Sequence, residues 1–186
     1  MHDVIVVGGG AAGLSAALYT EKNDLDTVVF DTDETWLHKA HLFNYLGIDS
    51  MDGTEFVEQS REQVEEFGVE IHEQEVTGVE DTAEGFTVTT EGDDQTHEGR
   101  YLVLATGADR SLAEQLDCEF TDEDVVDVSV SMQTSVEDAY ATGAMVRAEE
   151  WQAIISAGDG AAAALNILSK EKGEHFHDFD TPADAE

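Results

Sequence analysis

Cysteine and proline are nearly missing: Cys118 and Pro182 are the single examples in 186 residues. One cysteine excludes an internal disulfide, a Cys-x-x-Cys redox pair and any multi-cysteine zinc site. Basic residues are scarce as well. Eight Lys and Arg face 43 Asp and Glu, giving a formal charge of −35. Nucleic acid and anionic membrane surfaces would be repelled and are excluded as partners. No apolar run approaches the roughly 20 residues needed to cross a bilayer, and no basic start precedes an apolar stretch as in an export signal. The expectation is a soluble, cytoplasmic protein. Its length fits one domain, or one and a fraction.

What is present is enough apolar material, 41%, and enough glycine, 16 residues, to build a packed core with tight turns. The acid is spread from Glu21-Lys22-Asn23-Asp24 through Thr121-Asp122-Glu123-Asp124 to Asp184-Ala185-Glu186. A cation-binding loop or an acidic tail would concentrate it. A dispersed excess suits a salt-rich cytoplasm, where screening suppresses self-repulsion.

The first thirty residues carry the chemistry. Val4-Ile5-Val6-Val7 is β-branched and reads as a strand buried on both faces. Gly8-Gly9-Gly10-Ala11-Ala12-Gly13 follows, then small and apolar residues at helical spacing, then a second strand, Thr27-Val28-Val29-Phe30, ending in Asp31. Strand, glycine turn, helix, strand and carboxylate together form a dinucleotide-binding fingerprint in its required context. Gly8 permits the turn, Gly10 lets the backbone approach a pyrophosphate, and Gly13 lets helix and strand pack closely. Amides at the helix start face the phosphates. Asp31, 18 residues after Gly13, is placed to accept from a ribose. The fingerprint alone does not separate FAD from NAD.

Further on, Asp52 and Thr54 are candidate caps of a helix running to about Phe67, with Phe56, Val57, Val64 and Phe67 as its apolar stripe. A strand begins at Gly68-Val69-Glu70-Ile71 and leads to Val79. Phe86 to Thr90 and the stretch from Gln95 to Arg100 alternate as an antiparallel β-meander, and Tyr101 to Ala105 returns to a buried parallel strand. The predicted fold class is α/β: a Rossmann-like doubly wound parallel sheet carrying an antiparallel meander.

With Asn44-Tyr45-Leu46-Gly47, Ala105-Thr106-Gly107, Thr134-Ser135-Val136, Ala141-Thr142-Gly143 and Gln152 to Gly158 added in order, residues 3–168 resemble the FAD-binding domain of the thioredoxin reductase family. The resemblance implies one non-covalent FAD. Gly8, Gly10, Ala11, Ala12 and Gly13 would hold its pyrophosphate, Asp31 the adenosine ribose and Val76 the adenine. Thr106, Gly107 and Asn44 would lie near the cofactor and flavin, and Gly143, Gln152 and Ala153 would place the ribityl chain and ring. The last helix, Ala153 to Leu168, would aim its positive end at the ring. A homodimer is also implied.

Two of the family's usual features are not found. The NADPH domain inserted after the Ala-Thr-Gly strand is replaced by about nine residues, Asp109 to Asp117, with no second fingerprint. Gly143-Ala144 stands where the family usually has Gly-Asp, a lost acceptor that costs about 1.5–3 kcal/mol of cofactor affinity. The expected organisation is one FAD-binding domain over residues 1–172, with 109–117 as a short linker, and a loose acidic tail over 173–186. The expected activity is flavin-dependent oxidoreduction, with an external donor (a nicotinamide nucleotide or a ferredoxin-like protein) and an unknown acceptor. A non-catalytic FAD or nucleotide module and an NAD-binding protein are the alternatives. No side chain is singled out as acid or base. Trp36 or His38 is a candidate cover for part of the ring. His38 with His41, and His175 with His177, are weak metal pairs without a closed ligand set, so no metal is expected. Cys118 reads as a small apolar group on a strand, and Asp159-Gly160 as a solvated helical turn.

Overall fold

The computed structural model describes residues 1–92 and 96–181. The meander start at Gln95 and the acidic end Asp184-Ala185-Glu186 lie outside them.

Strand β1 (His2–Val7) leads through the glycine turn into α1 (Ala11–Lys22) and then β2 (Thr27–Asp31). Two short strands, β3 (His41–Leu42) and β4 (Met51–Asp52), precede α2 (Gly53–Phe67) and β5 (Glu70–Glu73). The meander is β6 (Val76–Thr82), β7 (Gly85–Thr90) and β8 (Thr96–Leu104). After it come α3 (Ser111–Gln115), β9 (Ala139–Ala141) and α4 (Ala153–Lys172). The main sheet runs β5-β2-β1-β8-β7-β6, with β9 also paired to β8. Pairs β1–β2, β1–β8, β2–β5 and β8–β9 are parallel, so their carboxyl ends share one edge.

Alternation along β1 sorts the core into two halves. Val4 and Val6 face α1 and α4, meeting Leu14, Ala16, Ala17, Ala163 and Ile167. Ile5 and Val7 face the meander and α3, meeting Phe86, Val88, Leu112 and Ala113. Both faces are covered, so the strand reads as an unbroken apolar run.

Several expectations change. The meander's last strand and the returning parallel strand are one element. β8 pairs antiparallel with β7 at its start and parallel with β1 along its length, His2 lying opposite Gly99 and Val7 opposite Leu104. The strand after Gly68 is two, because β5 extends the parallel sheet while β6 pairs only with β7. On α2, Asp52 caps the Thr54 amide at 2.9 Å and Val57 and Val64 are buried, but Phe67 is exposed. The short span 109–117 contributes to packing, with Leu112, Ala113 and Leu116 in the core beneath the meander. Cys118 follows α3 in extended chain outside any strand; it is buried, and that burial pushes its thiol pKa up.

The tail also differs from the expectation of looseness as far as residue 181. Lys22 binds Asp178 at 2.8 Å and also Asp180, the Phe176 amide donates to Ser169, and Phe176 packs on the α1–α4 core. A lysine in so acidic a chain is a strong attractor for neighbouring carboxylates.

A second clamp joins the start of β1, β8 and the end of α4. Arg100 donates to both oxygens of Glu171 at 2.8 Å and to Asp3 at 2.8 Å, and the Tyr101 hydroxyl donates to Glu171 at 2.8 Å. The Arg100 hydrogen bonds hold the Glu171 carboxyl below its ordinary 4.5. A depressed folded-state value stabilises above the unfolded value and is lost as pH falls through the folded one. Glu171→Gln is therefore expected to be destabilised by about 1 kcal/mol at neutral pH, given the exposure of Arg100. Melts of both proteins should converge as pH falls below the ordinary carboxylate range; a gap independent of pH would refute the ionic origin.

Candidate dinucleotide site

The parallel strands β1, β2 and β8 end together, and the chain leaves β1 and β8 in different directions. A crevice therefore opens beyond their carboxyl ends, the usual place for a ligand in such sheets. The glycine turn forms its floor. Gly8 has φ of +109°, and a Cβ there would sit 2.3 Å from the Ala105 carbonyl oxygen. A Cβ on Gly13 would lie 1.8 Å from the Gly8 oxygen, so only glycine lets α1 start so close to β1. Thr106 and Gly107 turn out of β8 beside this floor, with the Thr106 hydroxyl donating to the Asp109 carbonyl at 2.7 Å.

Helix α1 begins with Gly10 as an unassisted cap, and its first helical bond is Leu14 N–H to the Gly10 carbonyl at 3.0 Å. The amides of Ala11, Ala12 and Gly13 meet no protein acceptor among the described residues. Helix α4 starts the same way: Gln152 provides no side-chain cap, and the amides of Ala153, Ile154 and Ile155 meet no acceptor among the described residues. Neither helix has an acid in its first turn, although 43 of 186 residues are acidic. In contrast, α2 has both an Asp cap and Glu55 in its first turn. The first turns of these two helices thus leave their amides to an anion, although Glu149 and Glu150 stand just ahead of the α4 cap.

Asp31 ends β2 and is 8% exposed. Its Oδ1 accepts from the Gly9 amide at 2.8 Å, and its Oδ2 from Arg61 at 3.0 Å. Arg61 was not foreseen from the sequence. The available signal was its rarity, one of four arginines, placed on the inward side of α2.

On the other flank, Gly143 packs against Ala12 and Ser156, with φ of +72°. Asn44 donates to Gln152 at 2.7 Å, which joins two sequence candidates that are 108 residues apart. Val76 opens β6, buried in the cluster that contains Phe30 at the end of β2. The structure thus brings the glycine turn, Asp31, Thr106, Gly107, Gly143, Gln152 and Ala153 to one edge. Asn44 joins them through Gln152.

Asp159 and Gly160 are not a solvated turn. Asp159 is 5% exposed and accepts from Arg147 at 2.6 and 3.0 Å. Gly160 sits where α4 crosses α1, and a Cβ there would be 2.0 Å from the Ala12 carbonyl oxygen. The Arg147 carbonyl also accepts from the Trp151 indole at 2.8 Å, so this ion pair ties the turn after β9 to the start of α4. Of the ring-cover candidates, Trp36 is 78% exposed beneath Lys39, while both His38 nitrogens are engaged by Thr54 and Asp33.

The fold and its glycine turn are of the Rossmann-like class, with both faces of a mainly parallel sheet covered. The sequence profile described as pyridine nucleotide-disulphide oxidoreductase matches residues 2–110 and 46–160. The chain belongs to that family. It is 34% identical over 112 residues to a thioredoxin reductase of Listeria monocytogenes, covering 59% of this chain and 34% of that one. It is 26% identical over 169 residues to one of Spironucleus barkhanus, covering 89% and 52%. The match thus spans between a third and about half of those relatives' length. The solved thioredoxin reductase of Gloeobacter violaceus superposes with a TM-score of 0.86 at 21% identity, covering 97% of this chain and 99% of that one. That likeness establishes the fold alone, a Rossmann-like α/β fold shared with thioredoxin reductases. No helix among the described residues is long and apolar enough to cross a membrane.

The residues present fit FAD. Free amides at two helices with no acid in their first turns suit its pyrophosphate and the electron-rich edge of its ring, and the glycine floor leaves the backbone accessible.

Proposed function

We propose that the chain binds one FAD non-covalently and serves as a flavin-dependent oxidoreductase of the thioredoxin reductase type, with its electron donor supplied from outside. The observation that carries this reading is the pair of helices at one edge of the sheet that have no side-chain cap and no acid in their first turns, in a chain of charge −35. When bound, FAD supplies two-electron redox chemistry. Ala11, Ala12 and Gly13 bind phosphate oxygens through their amides, and Asp31 accepts from the ribose. Thr106, Gly107, Gly143 and the Asn44–Gln152 pair line the route toward the ring. The start of α4 contributes partial positive charge, which favours negative charge developing nearby.

Cys118 has no part in electron transfer on this reading. A buried thiol with a raised pKa carries little thiolate, and no second cysteine exists to resolve it. Electrons would instead pass from a nicotinamide nucleotide or a ferredoxin-like protein to an acceptor that docks at the flavin. A homodimer and a cytoplasmic location belong to the same proposal.

The test is the absorbance of protein purified in concentrated KCl, before and after adding FAD. It is followed by anaerobic bleaching with NADH, NADPH or reduced ferredoxin. Yellow protein that bleaches with one donor is the expected result. Yellow protein that no donor bleaches would make it a non-catalytic module, and colourless protein that takes up NAD but refuses FAD would make it an NAD-binding protein.

A further inference from the structure

The carboxylate that would read the sugar is itself held by a basic residue that three acids share. Asp31 Oδ1 takes the Gly9 amide at 2.8 Å and Oδ2 takes Arg61 Nη1 at 3.0 Å. A carboxylate has about four lone-pair positions, so two are left, enough for a ribose 2′- and 3′-hydroxyl. Arg61 is occupied in turn. Its Nη1 lies 3.3 Å from Asp33 and its Nη2 3.4 Å from Glu73, and its side chain is 16% exposed. Glu73 stands opposite Asp31 in the β2–β5 register. The same Asp33 oxygen also meets His38 Nε2 at 3.0 Å.

An arginine near a ribose-reading acid can accept a 2′-phosphate when it is free to turn outward. Here three carboxylates face one guanidinium, so the local charge stays negative and the donors point inward. We infer that Arg61 is a positioning residue that fixes Asp31 as a ribose acceptor, and that Asp33 and Glu73 withhold Arg61 from phosphate. The crevice therefore takes adenosine nucleotides with a free 2′-hydroxyl and rejects those phosphorylated there. This deepens the dinucleotide reading above and rests on it.

Calorimetric titration of the chain, first freed of any bound flavin, with ADP and with 2′,5′-ADP tests the inference in about 1 M KCl, where long-range repulsion is screened. The wild-type chain binds ADP at least about tenfold more tightly than 2′,5′-ADP. Arg61→Met weakens ADP about tenfold, the effect of removing one charge-assisted hydrogen bond that orients the acceptor. The double change Asp33→Asn with Glu73→Gln alters two exposed side chains, 51% and 76% accessible, and leaves the fold intact. It narrows the ADP to 2′,5′-ADP ratio by about tenfold by freeing Arg61. A folded Arg61→Met protein with unchanged ADP affinity overturns the inference. So does an unchanged ratio in the double variant, which decides the matter alone if Arg61→Met fails to fold. A wild-type chain that binds neither FAD nor ADP overturns the dinucleotide reading and this inference with it. ADP binding without any change in the variants overturns the inference alone.

Discussion

Gly160→Ala is expected to lower the thermal midpoint by about 5–10 °C, while Gly158→Ala, two residues away on the same helix, raises it by about 2–4 °C. Within an exposed helix the exchange of glycine for alanine normally stabilises by about 1 kcal/mol, through reduced freedom of the unfolded chain. At Gly158 nothing lies within 4 Å of an added Cβ, so that gain is realised in full. At Gly160 the same methyl would stand 2.0 Å from the Ala12 carbonyl oxygen and 3.1 Å from the Ala16 amide nitrogen. Both are backbone atoms of α1, so no rotamer change relieves the clash and the two helices must separate. Separation moves Ala11, Ala12 and Gly13, whose amides form the proposed phosphate cradle. Gly160→Ala should consequently lose flavin during gel filtration while Gly158→Ala retains it. Melting and absorbance measurements on the pair check this; equal shifts of the same sign would show that the helix crossing does not govern the cradle.

That crossing also shows where sequence reasoning stops. Val4 to Val7, the glycine turn and Asp31 were legible because each is local: a β-branched run, a turn that needs positive φ, and a carboxylate at a fixed distance along the chain. Asp52 as a cap was legible for the same reason. Gly160 was not, because its cause lies on a helix some 140 residues earlier, at Ala12 and Ala16. A glycine beside an aspartate reads locally as a polar turn, yet Asp159 is buried because Arg147 neutralises it. Arg61 was missed likewise, since its meaning comes from Asp31 and Glu73 on two strands that the sheet brings together. Residues 173–181 looked loose because polar composition says nothing about Lys22, which anchors them. Strand β8 misled in another way: one continuous segment serves two pairings, and the change of pattern within it resembles a boundary. Local signals thus placed the crevice's floor, and tertiary partners decided what orients it.

Raising KCl from about 0.1 M to about 1 M is expected to raise the thermal midpoint by about 10–15 °C. Two effects of salt oppose each other. Screening weakens the more exposed ion pairs of Arg100 and Lys170, which contribute at most about 1 kcal/mol each, and reaches the partly buried pairs of Lys22, Arg61 and Arg147 less. Screening also weakens repulsion among 43 acids that have only 8 basic residues to offset them. Acids outnumber bases more than fivefold, and folding compresses them onto one surface, so the repulsive effect wins by roughly 3–5 kcal/mol as the Debye length falls from about 10 to about 3 Å. Glu62, Glu65 and Glu66 give a direct check. All three are exposed on α2 and take part in no ion pair among the described residues. Changing them together to Gln should raise the midpoint in dilute salt and leave it nearly unchanged near 1 M, flattening the dependence. If the triple variant keeps the wild-type slope, general repulsion is not the cause, and KCl must act through a bound ion or through hydration of the acidic surface. If the wild-type midpoint does not move with salt at all, the dispersed acid serves a cationic partner instead of a salt-rich solvent.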